Sequence, residues 1–138
     1  MNITTGIKLR ILIADDRAAI RDYLKGILNS NSRFDISYLE AGDGLAAVEL
    51  YSTHRADIVY LDIQMPVLTG LEALKKMLEI DPKAFVVMIS SEATVQNVQK
   101  AIESGAKAFI AKPYTAKKIT DILEHVYLRR REITGITE

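Results

Sequence analysis

Ile11-Leu12-Ile13-Ala14-Asp15-Asp16 decides how this chain is read: four apolar residues run without a break into two carboxylates. The construction recurs at Ile58-Val59-Tyr60-Leu61-Asp62 and, ending in a cation, at Ala108-Phe109-Ile110-Ala111-Lys112-Pro113. Short apolar runs closed by polar residues are the pattern of strands buried on both faces, as in a parallel sheet. In open α/β sheets, ligands bind beyond the carboxyl ends of the strands. Three carboxylates and an ammonium delivered to that edge describe a hard-cation site with a cationic clamp beside it. That is equipment for phosphoryl chemistry.

Working outward, the remaining segments supply strands and helices in strict alternation. The first strand covers about Lys8–Ala14, and Ile20, Leu24, Ile27 and Leu28 share one face of a helix over Arg17–Leu28. The turn cluster Asn29-Ser30-Asn31-Ser32 leads to strand 2 at Phe34–Glu40, and Asp43 is suited to cap helix 2 near Leu45–Ser52. Strand 3 is Ile58–Leu61. Thr69-Gly70 opens helix 3 with a Leu71, Leu74, Leu78 stripe, and Asp81-Pro82 closes it. Ala84–Ile89 is a solid apolar run, expected as a central strand 4. Helix 4 is expected over Thr94–Glu103 with Val95, Val98 and Ile102 inward, stopped by Gly105. Strand 5 is Ala108–Ala111. Helix 5 runs from about Thr115 into Arg129 with Ile119, Ile122, Leu123, Val126 and Tyr127 inward. The alternation predicts an α/β fold, a parallel sheet with right-handed crossovers and helices on both faces.

Composition narrows the function. At 138 residues the chain has the length of one domain, and 49% apolar residues suffice for a core. No apolar run approaches the roughly 18 residues a spanning helix needs. Lys8 and Arg10 precede an apolar stretch, but Asp15 cuts it short, which argues against a signal peptide. The absence of cysteine excludes disulfides, thiol catalysis and thiolate metal sites, and fits a cytoplasmic setting. A net charge of zero gives no global electrostatic case for nucleic acid or an anionic membrane.

The order IADD, then LDIQMP with a following Thr69-Gly70, then MISS, then AKPY resembles the receiver domain of bacterial two-component response regulators. The likeness runs from about Lys8 to Tyr127, giving a receiver over residues 1–128 and a tail, 129–138, whose end at Ile133–Glu138 is expected to fray. It implies a single flavodoxin-like doubly wound domain: a five-stranded parallel sheet in the order 2-1-3-4-5, with five helices. By the same resemblance, Asp62 is the phosphoacceptor, a carboxylate nucleophile. Asp15 and Asp16, with Asp62 and the backbone carbonyl of Gln64, would hold Mg²⁺, which prefers oxygen ligands and keeps several waters. Lys112 would reach back to Asp62 and then to a phosphoryl oxygen. Ser90 occupies the switch hydroxyl position and Phe109 the aromatic one, and a phenyl ring can switch only by packing. Gln64 and Glu92 occupy positions that modulate phosphoryl lifetime. The Lys112-Pro113 peptide bond is expected to be cis.

Taken singly, each motif has an ordinary reading. Asp15-Asp16 would cap a helix, Asp62 would sit in a turn, Lys112-Pro113 would be a loop, and Ser90-Ser91 would cap helix 4. These readings would have to coincide at four matched sites, and the joint reading is preferred. For Phe109, core packing alone remains open beside a switching role. His54 and His125 lack a metal-ligand spacing, and Arg129-Arg130-Arg131 suits a solvated helix carboxyl end better than nucleic acid.

The functional expectation is a stand-alone response regulator, of the kind used in chemotaxis or a phosphorelay. It would receive phosphoryl from a histidine kinase or phosphotransfer protein and signal to a protein target through helix 4, strand 5 and helix 5. It would act as a monomer or a phosphorylation-dependent dimer, without nucleic acid or membrane insertion. Two alternatives stay open. An Mg²⁺-dependent phosphatase with an aspartyl nucleophile would want a second acid where Gln64 stands. A flavodoxin-like nucleotide-binding module would want a Gly-, Ser- or Thr-rich loop after strand 1, where Asp15-Asp16-Arg17 stands instead.

Overall fold

The computed structural model describes residues 6–31 and 33–134, so Ser32 of the expected turn and Gly135–Glu138 of the expected frayed tail lie outside the described residues. In chain order the elements are β1 (Ile7–Ala14), α1 (Ala18–Asn29), β2 (Phe34–Ala41), α2 (Gly44–His54), β3 (Ile58–Asp62), α3 (Gly70–Ile80), β4 (Val86–Ser90), α4 (Val95–Glu103), β5 (Ala108–Ala111) and α5 (Ala116–Thr134). All strand pairs are parallel, and the sheet order is β2-β1-β3-β4-β5. The middle strand is therefore β3, with β4 interior beside it.

Alternation along the strands divides the core between the two faces. Leu12, Val59, Leu61, Val86 and Met88 pack with Ala47, Tyr51, Ala73, Leu74, Met77 and Ala101 of α2, α3 and α4. Ile11, Ile13, Tyr60, Val87, Ile89 and Ile110 pack with Leu24, Leu28, Ile119, Leu123 and Val126 of α1 and α5. β1, β3 and β4 carry apolar side chains to both faces, as expected of strands covered twice.

Helix starts follow local chemistry. Asp43 accepts from the Ala46 amide, Thr94 from Asn97, and Thr69 and Glu72 form a reciprocal capping box at α3. Gly70 sits so close to the backbone after β3 that a Cβ there would lie 2.2 Å from the Asp62 carbonyl oxygen. Gly105, at φ 108°, ends α4 in a conformation that costs glycine little.

Three expectations change. On α4, Val95 is 75% and Ile102 48% exposed, Val98 is half-buried, and only Ala101 is buried. At ~100° per residue, Val95 and Ile102 lie roughly a quarter to a third of a turn from Ala101, on the helix flank. The covered position takes a small residue because α4 packs close to β5. On α3, Leu74 is buried as expected, but its deepest partners are Ala73 and Met77, with Leu71 and Leu78 half-buried. α5 continues past Arg129, where it was expected to end, to Thr134.

Candidate functional site

Register brings the acids together. Ala14 pairs with Leu61 across β1 and β3, so Asp15 and Asp62 follow side by side at the carboxyl edge. Asp62 in turn pairs with Ile89 of β4, and Ser90 with Ala111 of β5, one residue before Lys112. Counting by twos from Ile13, Tyr60 and Ile110 puts Asp15, Asp62 and Lys112 towards the same face of the sheet. The cis Lys112-Pro113 bond follows directly.

The two buried carboxylates are held alike. Asp15 Oδ1 accepts from the Arg17 amide at 2.9 Å, and Asp62 Oδ1 accepts from the Gln64 amide at 3.1 Å. Each is the local bond that an aspartate makes two residues on. Their other oxygens share one ammonium: Lys112 Nζ donates to Asp15 Oδ2 at 3.0 Å and to Asp62 Oδ2 at 3.1 Å. Asp16 is exposed, and one oxygen each from Asp15, Asp16 and Asp62 lie within 4.8 Å of one another. Arg21 Nη1 fixes the base of the corner by donating to the Asp15 carbonyl at 2.7 Å.

The shared geometry does not make the carboxyls equivalent. Burial works to raise the pKa of both carboxyls. At Asp15 it is outweighed by the Arg17 amide and the Lys112 ammonium, so its carboxyl sits below the ordinary range. At Asp62 burial prevails over the Gln64 amide and Lys112, with the Asp15 charge adding to it, so its carboxyl sits above. A further cation at this corner would favour the ionised form of Asp62, the form a nucleophile needs.

Around this centre, Ser90 is buried at the end of β4 rather than in the loop beyond it, and its Oγ accepts from the Glu92 amide at 2.9 Å. Phe109 pairs with Met88 on the face towards α4, the same face as Ser90, and is half-buried. Gln64 and Glu92 are both exposed and are joined to each other, Gln64 Nε2 donating to Glu92 Oε1. Asn97 of α4 reaches back to the Glu92 carbonyl at 2.8 Å. The structure thus brings together Asp15, Asp16, Asp62 and Lys112, sets Ser90 beside them, and leaves Phe109 on the flank. Sequence reasoning missed Arg17 and Arg21 as supports of Asp15. The amide of Arg17 was inferable from the aspartate turn habit, whereas Arg21 carries no local signal.

Comparisons with known proteins identify the family. The sequence matches the response regulator receiver domain family over residues 11–124. Chemotaxis protein CheY of Bacillus subtilis is 41% identical over 114 residues, 83% of this chain and 93% of that protein. CheY of Thermotoga maritima is 38% identical over 117 residues, 85% of this chain and 96% of that one. A chain of the crystal structure of the CheX-CheY-BeF3-Mg²⁺ complex from Borrelia burgdorferi superposes with a TM-score of 0.80 at 37% identity, covering 92% of this chain and 95% of that one. Receiver domains bind Mg²⁺ at an acidic pocket, and here the acids are Asp15, Asp16 and Asp62. No helix among the described residues is long and apolar enough to cross a membrane. The chain belongs to the response regulator receiver domain family and is a CheY-like receiver.

Proposed function

We propose that this receiver accepts a phosphoryl group on Asp62 from a phosphohistidine of a histidine kinase or phosphotransfer protein, in the cytoplasm. The observation that supports it best is the Lys112 ammonium, 3.0 Å from Asp15 and 3.1 Å from Asp62. It stabilises a buried carboxylate that would otherwise be costly to ionise, and it stands ready for the phosphoryl oxygens. An oxygen of Asp62 bonds to phosphorus as the bond from phosphorus to the donor imidazole nitrogen breaks.

The residues present fit Mg²⁺. Asp15, Asp16, Asp62 and the Gln64 carbonyl offer only oxygens, and an ion that keeps several waters needs few protein ligands. When bound, it supplies positive charge against the transferring phosphoryl group. The Ser90 hydroxyl accepts from Glu92, which leaves its proton to donate to the phosphoryl oxygens. Ser90 and Phe109 together relay the change to the surface of α4, β5 and α5, which a protein partner reads. The Gln64–Glu92 pair crosses between two of the loops at this edge and tunes access of water to the phosphoryl group. With an amide at Gln64, the second acid of a phosphatase is missing.

The test is incubation with acetyl phosphate and Mg²⁺. Intact mass rises by one phosphoryl group, and Asp62→Asn removes the shift. Labelling of Asp62→Asn at the wild-type rate would sink the assignment.

A further inference from the structure

Asp15 and Asp16 are neighbours in the chain but are held in different ways. Asp15 is fixed through every polar group it has. Its amide donates to the Ala41 carbonyl at 3.1 Å, its carbonyl accepts from Arg21, and its carboxylate oxygens accept from the Arg17 amide and from Lys112. The Asp16 carboxylate is exposed and, among the described residues, makes no hydrogen bond or ion pair. Yet one of its oxygens lies within 4.8 Å of an oxygen from each of the other two acids. Contacts of its own do not hold it there, so its backbone must.

One rigid peptide plane joins the Asp15 carbonyl to the Asp16 amide, so holding that carbonyl sets the direction in which Asp16 starts. Arg21 holds it, Nη1 donating at 2.7 Å. The guanidinium is set in turn by Glu40 of β2, whose Oε1 accepts from Nε at 3.0 Å. Because a guanidinium is planar, seating Nε on Glu40 also places Nη1. Lys25, one turn further along α1, donates to the other Glu40 oxygen at 2.7 Å and keeps that carboxylate from turning away. An ion pair that only tied α1 to the edge strand would contribute little, and would need no second donor directed at the acid turn. We propose that Arg21, oriented by Glu40, is a positioning residue for Mg²⁺: by holding the Asp15 carbonyl it presents the Asp16 carboxylate to the ion. This rests on the reading of Asp15, Asp16 and Asp62 as the ligands of the metal.

The charge of Arg21 and its geometry predict opposite results. A cation near the acids repels Mg²⁺, so by charge alone Arg21→Gln would tighten binding. As a positioning residue its loss weakens binding by about tenfold or more, the size usual for a group that orients a metal ligand. Mg²⁺ is titrated into the full chain by calorimetry, and by amide shifts where binding is weak. The chains are wild type, Arg21→Gln, Arg21→Lys, Asp16→Asn and the double variant Arg21→Gln with Asp16→Asn, each shown to be folded by circular dichroism. Both Arg21 variants bind more weakly, lysine included, because an ammonium lacks the fork that spans Glu40 and the carbonyl. In the Asp16→Asn background, Arg21→Gln changes affinity by less than about twofold, since the carboxylate it presents is already gone. Unchanged or tighter binding in Arg21→Gln overturns the proposal. Full additivity with Asp16→Asn overturns it too, because Arg21 would then be loosening the fold at large. If Asp16→Asn weakens binding and the Arg21 variants do not, the metal site stands and the positioning role alone falls. If Asp16→Asn binds as wild type does, the reading of Asp16 as a ligand falls and the proposal with it.

Discussion

Helices α3 and α4 cover the same face of the sheet, both follow a loop leaving the acid edge, and both start from a threonine N-cap. α3 buries Gly70, Ala73, Leu74 and Met77, and its first residue packs on the backbone of Asp62 itself. α4 buries Ala101 alone and leaves Val95 and Ile102 in water. On the proposed function, the difference would separate two tasks. Reacting groups need a frame that does not yield, and close packing of α3 on β3 supplies it. A reporter needs an element that is less firmly held, and a helix seated on one small side chain suits that role.

The largest effect that would break this contrast is on stability. Met77→Ala should cost about 2–5 kcal/mol in urea unfolding, the price of a cavity at a fully buried site. Ile102→Ala should stay within about 0.5 kcal/mol. Equal costs would mean that α4 is as firmly fixed as α3.

Next comes the response to a phosphoryl mimic. Beryllofluoride with Mg²⁺ should move amide signals through α4 and β5 and leave α2 nearly unchanged. A single charge-assisted bond from Ser90, worth roughly 1.5–3 kcal/mol, shifts a two-state equilibrium by about ten- to a hundredfold. Gln99, Lys100, Glu103 and Lys107 are exposed there, where a partner would sense the change. Shifts confined to the loops around Asp62 would leave α4 without a reporting role.

The smallest test sharpens the contrast inside the fixed corner. Without metal, Asp15→Asn should cost about 1–3 kcal/mol, since it removes a buried partner of Lys112. Asp16→Asn should change stability by less than about 0.5 kcal/mol, because Asp16 is exposed. Calorimetry should show weaker Mg²⁺ binding in both. Unchanged affinity in both would rule out this metal site.

The acid corner was legible because each of its residues follows a strand whose apolar run announces itself, and register then leaves little freedom. Asp15, Asp62 and Lys112 share a face by simple alternation from Ile13, Tyr60 and Ile110. α4 was misread for a physical reason. Val95, Val98 and Ile102 form a good amphipathic stripe, but periodicity reports only that a stripe exists, and the covered face centres on Ala101 beside it. Ala73 and Met77 on α3 were passed over because leucines dominate the pattern, although the space against β3 suits a small residue and a flexible one. The reach of α5 to Thr134 had no local signal, since Arg129-Arg130-Arg131 continues a helix as readily as it ends one.

Lys112 lies 97 residues beyond Asp15 and 50 beyond Asp62 in the chain. During synthesis at ~5–20 residues per second, the ammonium follows Asp62 by about 3–10 s. In that interval the nascent chain carries the acids without the ammonium that bridges them in the finished fold. Docking of β5 ends the interval. An unfinished or miscopied chain that stops short of β5 has Asp62 but no ammonium beside it, so a complete acid corner certifies that translation has passed residue 112.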